Sequence, residues 1–124
     1  KSLYRMFYDT HIINNTNIGL SKWNTSNVER SDEMFAYSNF NENISKWNTK
    51  NIYQFEGMFA YNLEFNQDIS NWNVSSGINF VNMFKGAQSF YQDLSKWDMK
   101  SAAYTSNMFV SSPLQNNRKL QCKK

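Results

Sequence analysis

Four tryptophans, each followed by Asn or Asp, fall at Trp23, Trp47, Trp72 and Trp97, separated by 24, 25 and 25 residues. The pairs Met34-Phe35, Met58-Phe59, Met83-Phe84 and Met108-Phe109 each begin eleven residues after the preceding tryptophan. That interval never slips. The path from Met-Phe to the next tryptophan takes 13, 14 and 14 residues, and from Met6-Phe7 to Trp23 it takes 17, which places a loop insertion near Thr10 to Asn17. Self-similarity at this period marks a repeat architecture, in which a unit of two dozen residues buries its apolar side only against its neighbours.

Within a unit the pattern changes. Ser45, Trp47 and Thr49 alternate with Lys46, Asn48 and Lys50, the period of two expected of a short strand with one wet face. Ile52, Phe55, Met58 and Phe59 then recur every three to four residues, which predicts a helical turn or short helix. A return loop carries Phe40, Phe65 and Phe90, each followed four residues later by Ile44, Ile69 or Leu94. The expected fold is therefore an α/β repeat solenoid, right-handed, with short parallel strands in a ladder and helical turns on the opposite side. Residues 1–109 would form one domain of about four to five repeats, with 110–124 as a C-terminal cap or basic tail.

Stacked copies turn equivalent positions into columns: Ile or Leu, Trp, the series Thr25, Thr49, Val74 and Met99, and the phenylalanines. A buried aromatic ring removes about 150–250 Å² from water, which at about 25 cal/mol per Å² is several kcal/mol as an upper bound. Tryptophans used instead as an outward platform for single-stranded nucleic acid or sugar rings would turn Lys46, Asn48 and Lys50 inward without partners, at a prohibitive desolvation cost. The expected core is thus Trp23, Trp47, Trp72, Trp97, Met34, Phe35, Met58, Phe59, Met83, Phe84, Phe40, Phe65 and Phe90.

With tryptophan inside, the outward face is Lys22, Asn24 and Ser26; Lys46, Asn48 and Lys50; Asn71, Asn73 and Ser75; and Lys96, Asp98 and Lys100. Five lysines against one aspartate make it a candidate face for an acidic partner or an anionic glycan, or a solubilising surface with edge lysines. The Asn after each Trp would form an amide ladder, and Ser21, Ser45, Ser70 and Ser95 would bond backbone at the strand entry. Asp68 and Asp93 share a column and form a thin calcium candidate, since Gly19 and Asn43 hold the other two places.

The net charge of +3 comes from Arg118, Lys119, Lys123 and Lys124, so the body is close to neutral and the tail reads as a solvated terminus. Cys122 is the single cysteine, read as an unpaired bystander in a flexible tail. No apolar run is long enough to span a bilayer, and the first residues lack the zones of a signal peptide. Asn-x-Ser/Thr occurs at Asn14, Asn24, Asn43 and Asn73, but 19 Asn in 124 residues dilute that signal. His11 is the sole histidine, far in sequence from Cys122, and Asp32-Glu33 reads as a solvated helix face. Neither composes catalytic machinery, no zinc cluster or phosphate-binding loop is present, and no cofactor is expected.

The phrases "MFAYNLEFNQDISNWNVSSGINFVNMF" and "MFKGAQSFYQDLSKWDMKS" resemble a bacterial surface-protein repeat of mollicute and Listeria type, a relative of BspA-like leucine-rich repeats. The resemblance covers Met6 to Phe109. It implies a leucine-rich-repeat-like solenoid displayed at the cell surface or extracellularly, serving adhesion, structural assembly or partner binding without known catalysis. Similar repeats occur in some large DNA viruses, which keeps a virion role open. Gly77 and Ala102 depart from the pattern at the place of Val28 and Ile52, as do Ser31 and Thr105 where Met or Phe is expected, so the last unit would pack loosely or cap the array. The expected function is a non-enzymatic module binding a protein partner or a neighbouring repeat protein, with end-to-end self-association possible. The alternative is an adhesion module for an anionic glycan or, less favoured, nucleic acid through the lysine face.

Overall fold

The computed structural model describes residues 1–11 and 19–124. The insertion near Thr10 to Asn17 and the Asn14 acceptor thus fall mainly outside the described residues. Among those described, the only helix is the three-residue 3₁₀ turn Leu20–Lys22, and extended pairing is confined to single parallel bridges, Ser2 to Arg30 to Gln54 to Asn79 to Tyr104. No sheet forms. The expected leucine-rich-repeat-like solenoid of stacked strands and helices is therefore wrong: the domain is mostly irregular, and its repeats meet through turns.

The reason lies in the backbone around Met-Phe. The N–H groups of Phe55, Gly57, Phe59 and Tyr61 donate to the carbonyls of Asn79, Val81, Met83 and Lys85 in the next repeat, at 2.8, 2.8, 2.9 and 2.7 Å. The intervening N–H groups of Met58, Ala60 and Asn62 close tight turns onto Phe55, Gly57 and Phe59. Donors thus alternate between the neighbour and the chain itself. Each repeat carries two left-handed residues four apart: Arg5 and Asp9, Glu33 and Tyr37, Gly57 and Tyr61, Asn82 and Gly86, Asn107 and Ser111. An α-helix needs uninterrupted negative φ, so the apolar spacing read as helical belongs to a ribbon of turns. A non-glycine residue in this region costs about 1–3 kcal/mol, which the bonds to the next repeat offset.

The tryptophan segment is bracketed by turns as well. Trp47 N–H donates to Ile44 and Ile52 N–H to Thr49, at 3.1 and 3.0 Å, and the other repeats do the same. Only Trp47, Asn48 and Thr49 remain extended enough to alternate, too few for a strand. The alternation itself survives: Trp47 and Thr49 are buried while Lys46, Asn48 and Lys50 are exposed.

The core follows the columns. Trp47, Trp72 and Trp97 lie parallel with ring centroids 6.4 Å apart, an offset arrangement that favours aromatic pairs. Each indole N–H donates one repeat back, to the carbonyl of Leu20, Ile44 or Ile69, at 2.7, 3.0 and 2.9 Å. Phe7, Phe35, Phe59, Phe84 and Phe109 form a second column with 5.6–5.9 Å steps. Phe40, Phe65 and Phe90 lie flat against it, at 3.9, 4.0 and 4.2 Å. Trp23 differs from the other three. It is only partly buried, tilted against Phe7 at the start of the array.

Two departures in the sequence are absorbed locally. Gly77 leaves room that Phe80 fills, since a Cβ there would come within 2.3 Å of the Phe80 ring. Ser31 is buried with its hydroxyl donating to the Gln54 carbonyl at 3.1 Å, while Thr105 is exposed. The C-terminal segment is no free tail. Leu114 is fully buried, its N–H bonded to a Ser112 hydroxyl that itself donates to Phe109, the same arrangement as Phe40, Ser38 and Phe35. Leu120 accepts the N–H of Leu94 at 2.8 Å.

Cys122 is buried there, its Sγ 4.0 Å from Met108 Sδ, rather than loose in a solvated terminus. Burial pushes its thiol up to about 12. The raised value means that this group favours folding below the ordinary thiol pKa of 9.0 and loses that contribution as pH rises toward 12. Folded protein at pH 8 is expected to resist Ellman's reagent, with one thiol per chain appearing on denaturation; rapid reaction of the native protein would contradict the burial.

Candidate interaction faces

The lysine-bearing positions lie at the surface. Lys22, Asn24, Lys46, Asn48, Lys50, Asn71, Asn73, Lys96, Asp98 and Lys100 are all exposed. The charge there is broken up, however. Lys100 Nζ lies 3.8 Å from Asp98, Lys96 sits in the field of the Asp93 carboxylate, and the third repeat contributes only Asn71, Asn73 and Ser75. A polyanion would find no continuous row of phosphate or sulfate partners.

The expected amide ladder after tryptophan does not form. Asn24, Asn48, Asn73 and Asp98 instead accept the N–H two residues on, from Ser26, Lys50, Ser75 and Lys100, closing local turns. Amides run between repeats at another place. Asn41 Oδ1 accepts Asn66 N–H and a Gln67 amide N–H, at 2.9 and 3.0 Å, and Asn66 Oδ1 accepts the same pair from Tyr91 and Gln92, both at 2.9 Å. Asn62, which sequence reasoning passed over, is fully buried: its amide donates to Phe40 O at 3.1 Å and its Oδ1 accepts Glu64 and Phe65 N–H. Its place in the unit is held by Ser38 and Ser112, the one available hint that a buried turn cap belongs there.

Asp68 and Asp93 each turn an oxygen to the N–H of Ser70 and Ser95, at 3.0 and 2.9 Å. Hydroxyl and backbone N–H bonds from those serines hold both carboxyls below the ordinary carboxylate value of 3.8. Calcium takes six to eight oxygens, and among the described residues no group of three or more His, Cys, Asp or Glu converges; the pair caps turns. A depressed carboxylate pKa contributes stability above its unfolded value and loses it as pH falls through the folded one. Acid unfolding followed by tryptophan fluorescence is accordingly expected to begin below about pH 4 and to start at higher pH than this only if other carboxylates carry the transition. In D68N/D93N, which keeps the acceptor oxygens, the part of the pH dependence below 3.8 should flatten.

Asp32 and Glu33 are ion-paired rather than a solvated helix face. Buried Asp32 takes two bonds from Arg30, the shorter at 2.7 Å, and Glu33 pairs with Arg5 at 3.1 Å. His11 is exposed, 3.7 Å from Asp9, in a surface cavity of about 510 Å³ whose lining includes Tyr37, Asn39, Tyr61 and Glu64.

A different face, along the parallel bridges, carries exposed apolar side chains. Ile78 N–H donates to Tyr53 O at 2.9 Å, and Ala103 and Tyr104 N–H both donate to Ile78 O, at 2.9 and 3.1 Å. Those bonds put Tyr53, Ile78 and Ala103 at the same place in successive repeats; Tyr104 follows Ala103 and shares the bridge column of Asn79, and Tyr53, Ile78 and Tyr104 are 40%, 42% and 59% exposed. At the other end the same columns hold Glu29 and Arg30. Their side chains change from repeat to repeat, so no recurring residue marks these positions in the sequence.

A family model described as Mycoplasma protein of unknown function, DUF285, matches residues 1–121. This fits a mollicute-type repeat and does not extend to the BspA-like leucine-rich-repeat relationship. Neither a curated protein nor a solved structure matches the chain. Among the described residues no helix is long and apolar enough to cross a membrane.

Proposed function

The chain belongs to the Mycoplasma DUF285 family, and from that premise we propose that it is a non-enzymatic repeat module for protein–protein interaction, displayed at the cell surface. The observation that carries this reading is the exposed pair Tyr53 and Ile78 at one place in neighbouring repeats, with exposed Tyr104 one residue past the same place in the next. Tyrosine and isoleucine exposed in neighbouring repeats on a polar domain are the composition of a protein contact. The repeated residues themselves are consumed by contacts between repeats, so binding falls to columns such as this, whose side chains change from one unit to the next. The alternative, an anionic glycan or nucleic acid on the lysine face, is weakened by the carboxylates beside Lys96 and Lys100.

Photo-cross-linking on cells that carry the protein separates the two. A cross-linking residue at position 78 is expected to give a discrete protein adduct, and one at position 48 none. Binding to heparin or single-stranded DNA that collapses steeply with salt and is lost in K46S/K50S/K96S/K100S would favour the lysine face instead. No adduct from either position, with no polyanion binding, would overturn the interaction reading.

A further inference from the structure

At one junction inside the array the charges of the tryptophan face are not broken up. The residue before each tryptophan is Lys22, Lys46, Asn71 or Lys96, and the residue three after it is Ser26, Lys50, Ser75 or Lys100. Lys22 and Lys46 are therefore the one pair of lysines that share a place in consecutive units of this face. Bonds between their segments hold them side by side: the Trp47 indole N–H donates to Leu20 O at 2.7 Å and Asn48 N–H to Thr25 Oγ1 at 3.0 Å. Like charges set directly opposite one another are destabilising, and an anion between them reverses the sign of that interaction.

The place three residues before each lysine position sharpens the difference. In the third and fourth units it holds Asp68 and Asp93, whose carboxylates take the hydroxyl and the N–H of Ser70 and Ser95. In the first two it holds Gly19 and Asn43. Asn43 Oδ1 still accepts the Ser45 N–H at 2.9 Å, which keeps the turn without the charge. Ser21, Lys22, Asn43, Ser45 and Lys46 line a surface recess of about 330 Å³. Among the described residues neither lysine is ion-paired. Glu42, the nearest acidic residue in sequence, is not part of the lining, and the stretch 12–18 contains no charged residue.

We propose that this recess between the first and second tryptophan segments is a seat for a single phosphate group, held by the ammonium groups of Lys22 and Lys46 and the hydroxyls of Ser21 and Ser45. Ammonium and hydroxyl groups supply donors, lysine binds phosphate as a point charge, and two cations match the double charge that a phosphate monoester carries above its second pKa of about 6. The seat is no polyanion track, since Asn71 and the Asp68 carboxylate end it after two units. It goes beyond the protein contact proposed above and does not rest on it.

Amide NMR of the 124-residue chain, titrated with inorganic phosphate at neutral pH and fixed ionic strength, tests this. Saturable shifts are expected at Ser21, Lys22, Ser45 and Lys46, with non-saturating ones at Lys96 and Lys100. Asn43→Asp puts a carboxylate where Asp68 has one and keeps the acceptor of the turn, so it is expected to weaken binding about tenfold while the melting temperature stays unchanged. D68N/N71K carries the pattern of the first junction to the next and is expected to add saturable shifts at Ser70 and position 71. A titration with glucose 6-phosphate separates the sources: affinity equal to or below that for inorganic phosphate assigns the seat to the free ion, and tighter binding assigns it to a sugar-borne phosphate. Shifts that never saturate, that spread evenly over all exposed lysines, or that persist at full affinity in Asn43→Asp would overturn the proposal. Tyr53 and Ile78 lie outside the recess, so failure here leaves their contact untouched.

Discussion

Trp72→Ala is expected to cost about 3–5 kcal/mol, a loss that lowers the melting temperature by roughly 10–20 °C in a domain of this size. Trp72 is buried between Trp47 and Trp97, both at 6.4 Å, and its indole N–H holds the Ile44 carbonyl at 3.0 Å. Removing it opens a cavity between two other indoles and frees a buried acceptor. Trp72→Phe separates these effects, because the ring stays while the donor goes; its expected cost is about 1–2 kcal/mol. Trp23→Ala supplies the internal control. That side chain is only partly buried, and among the described residues its one ring contact is Phe7 at 6.1 Å, so its cost should fall well below that of Trp72→Ala. Equal losses at positions 23 and 72 would show that the rings act singly and not as a column.

The second large effect concerns a place where the repeat breaks its own rule. Restoring the apolar residue with Gly77→Ile should destabilise the domain by about 1–3 kcal/mol, since overpacking forces neighbours off their rotamers. The Phe80 ring already occupies the volume a side chain at 77 would need, and Phe80 is itself fully buried, stacked on Phe55 at 5.1 Å. Phe80→Ser alone should cost about 3–5 kcal/mol by leaving that volume empty. Together, the two substitutions recreate the pairing of Val28 with Ser31 found in an earlier repeat, a large residue followed by a small one. The double variant is therefore expected to cost less than the two singles combined by more than about 1 kcal/mol, a coupling measurable by urea denaturation. Additivity would mean that positions 77 and 80 do not share one space.

Positions that recur in every unit were legible in the sequence because stacking converts them into columns. Spacing alone suggests inward tryptophans and Met-Phe pairs and outward lysines; Trp47, Trp72, Trp97 and the last four Met-Phe pairs are buried and the lysines of the tryptophan segments exposed, while Trp23 is only partly buried. The conformation of the backbone between them was not legible. Apolar residues three and four apart suit a helix and a ribbon of turns equally, and what distinguishes the two is the left-handed residue at every fourth place. Glycine or asparagine marks that place only at Gly57, Asn82, Gly86 and Asn107; elsewhere Arg5, Asp9, Glu33, Tyr37, Tyr61 and Ser111 adopt it. Nothing in those side chains announces positive φ, because the conformation is held by bonds to the next repeat. The exposed residues Tyr53, Ile78 and Tyr104 were hidden for a related reason: they differ in chemistry and occupy two adjacent columns, so no recurring side chain marks them.

The two-step alternation of donors gives the chain something like a reading frame. Losing or gaining a single amino acid between a left-handed residue and its companion would swap which amides face outward across the junction, and every later bond in that ribbon would be addressed to the wrong side. Whole units, in contrast, are removable without disturbing the phase. The frame is kept on both sides of each methionine, and the drift of the return path between 13 and 14 falls after the second left-handed residue, between Tyr37 and Phe40 against Tyr61 and Phe65: lineages of such proteins should lengthen or shorten by complete repeats, and tolerate frame-breaking indels only beyond that residue in the returns.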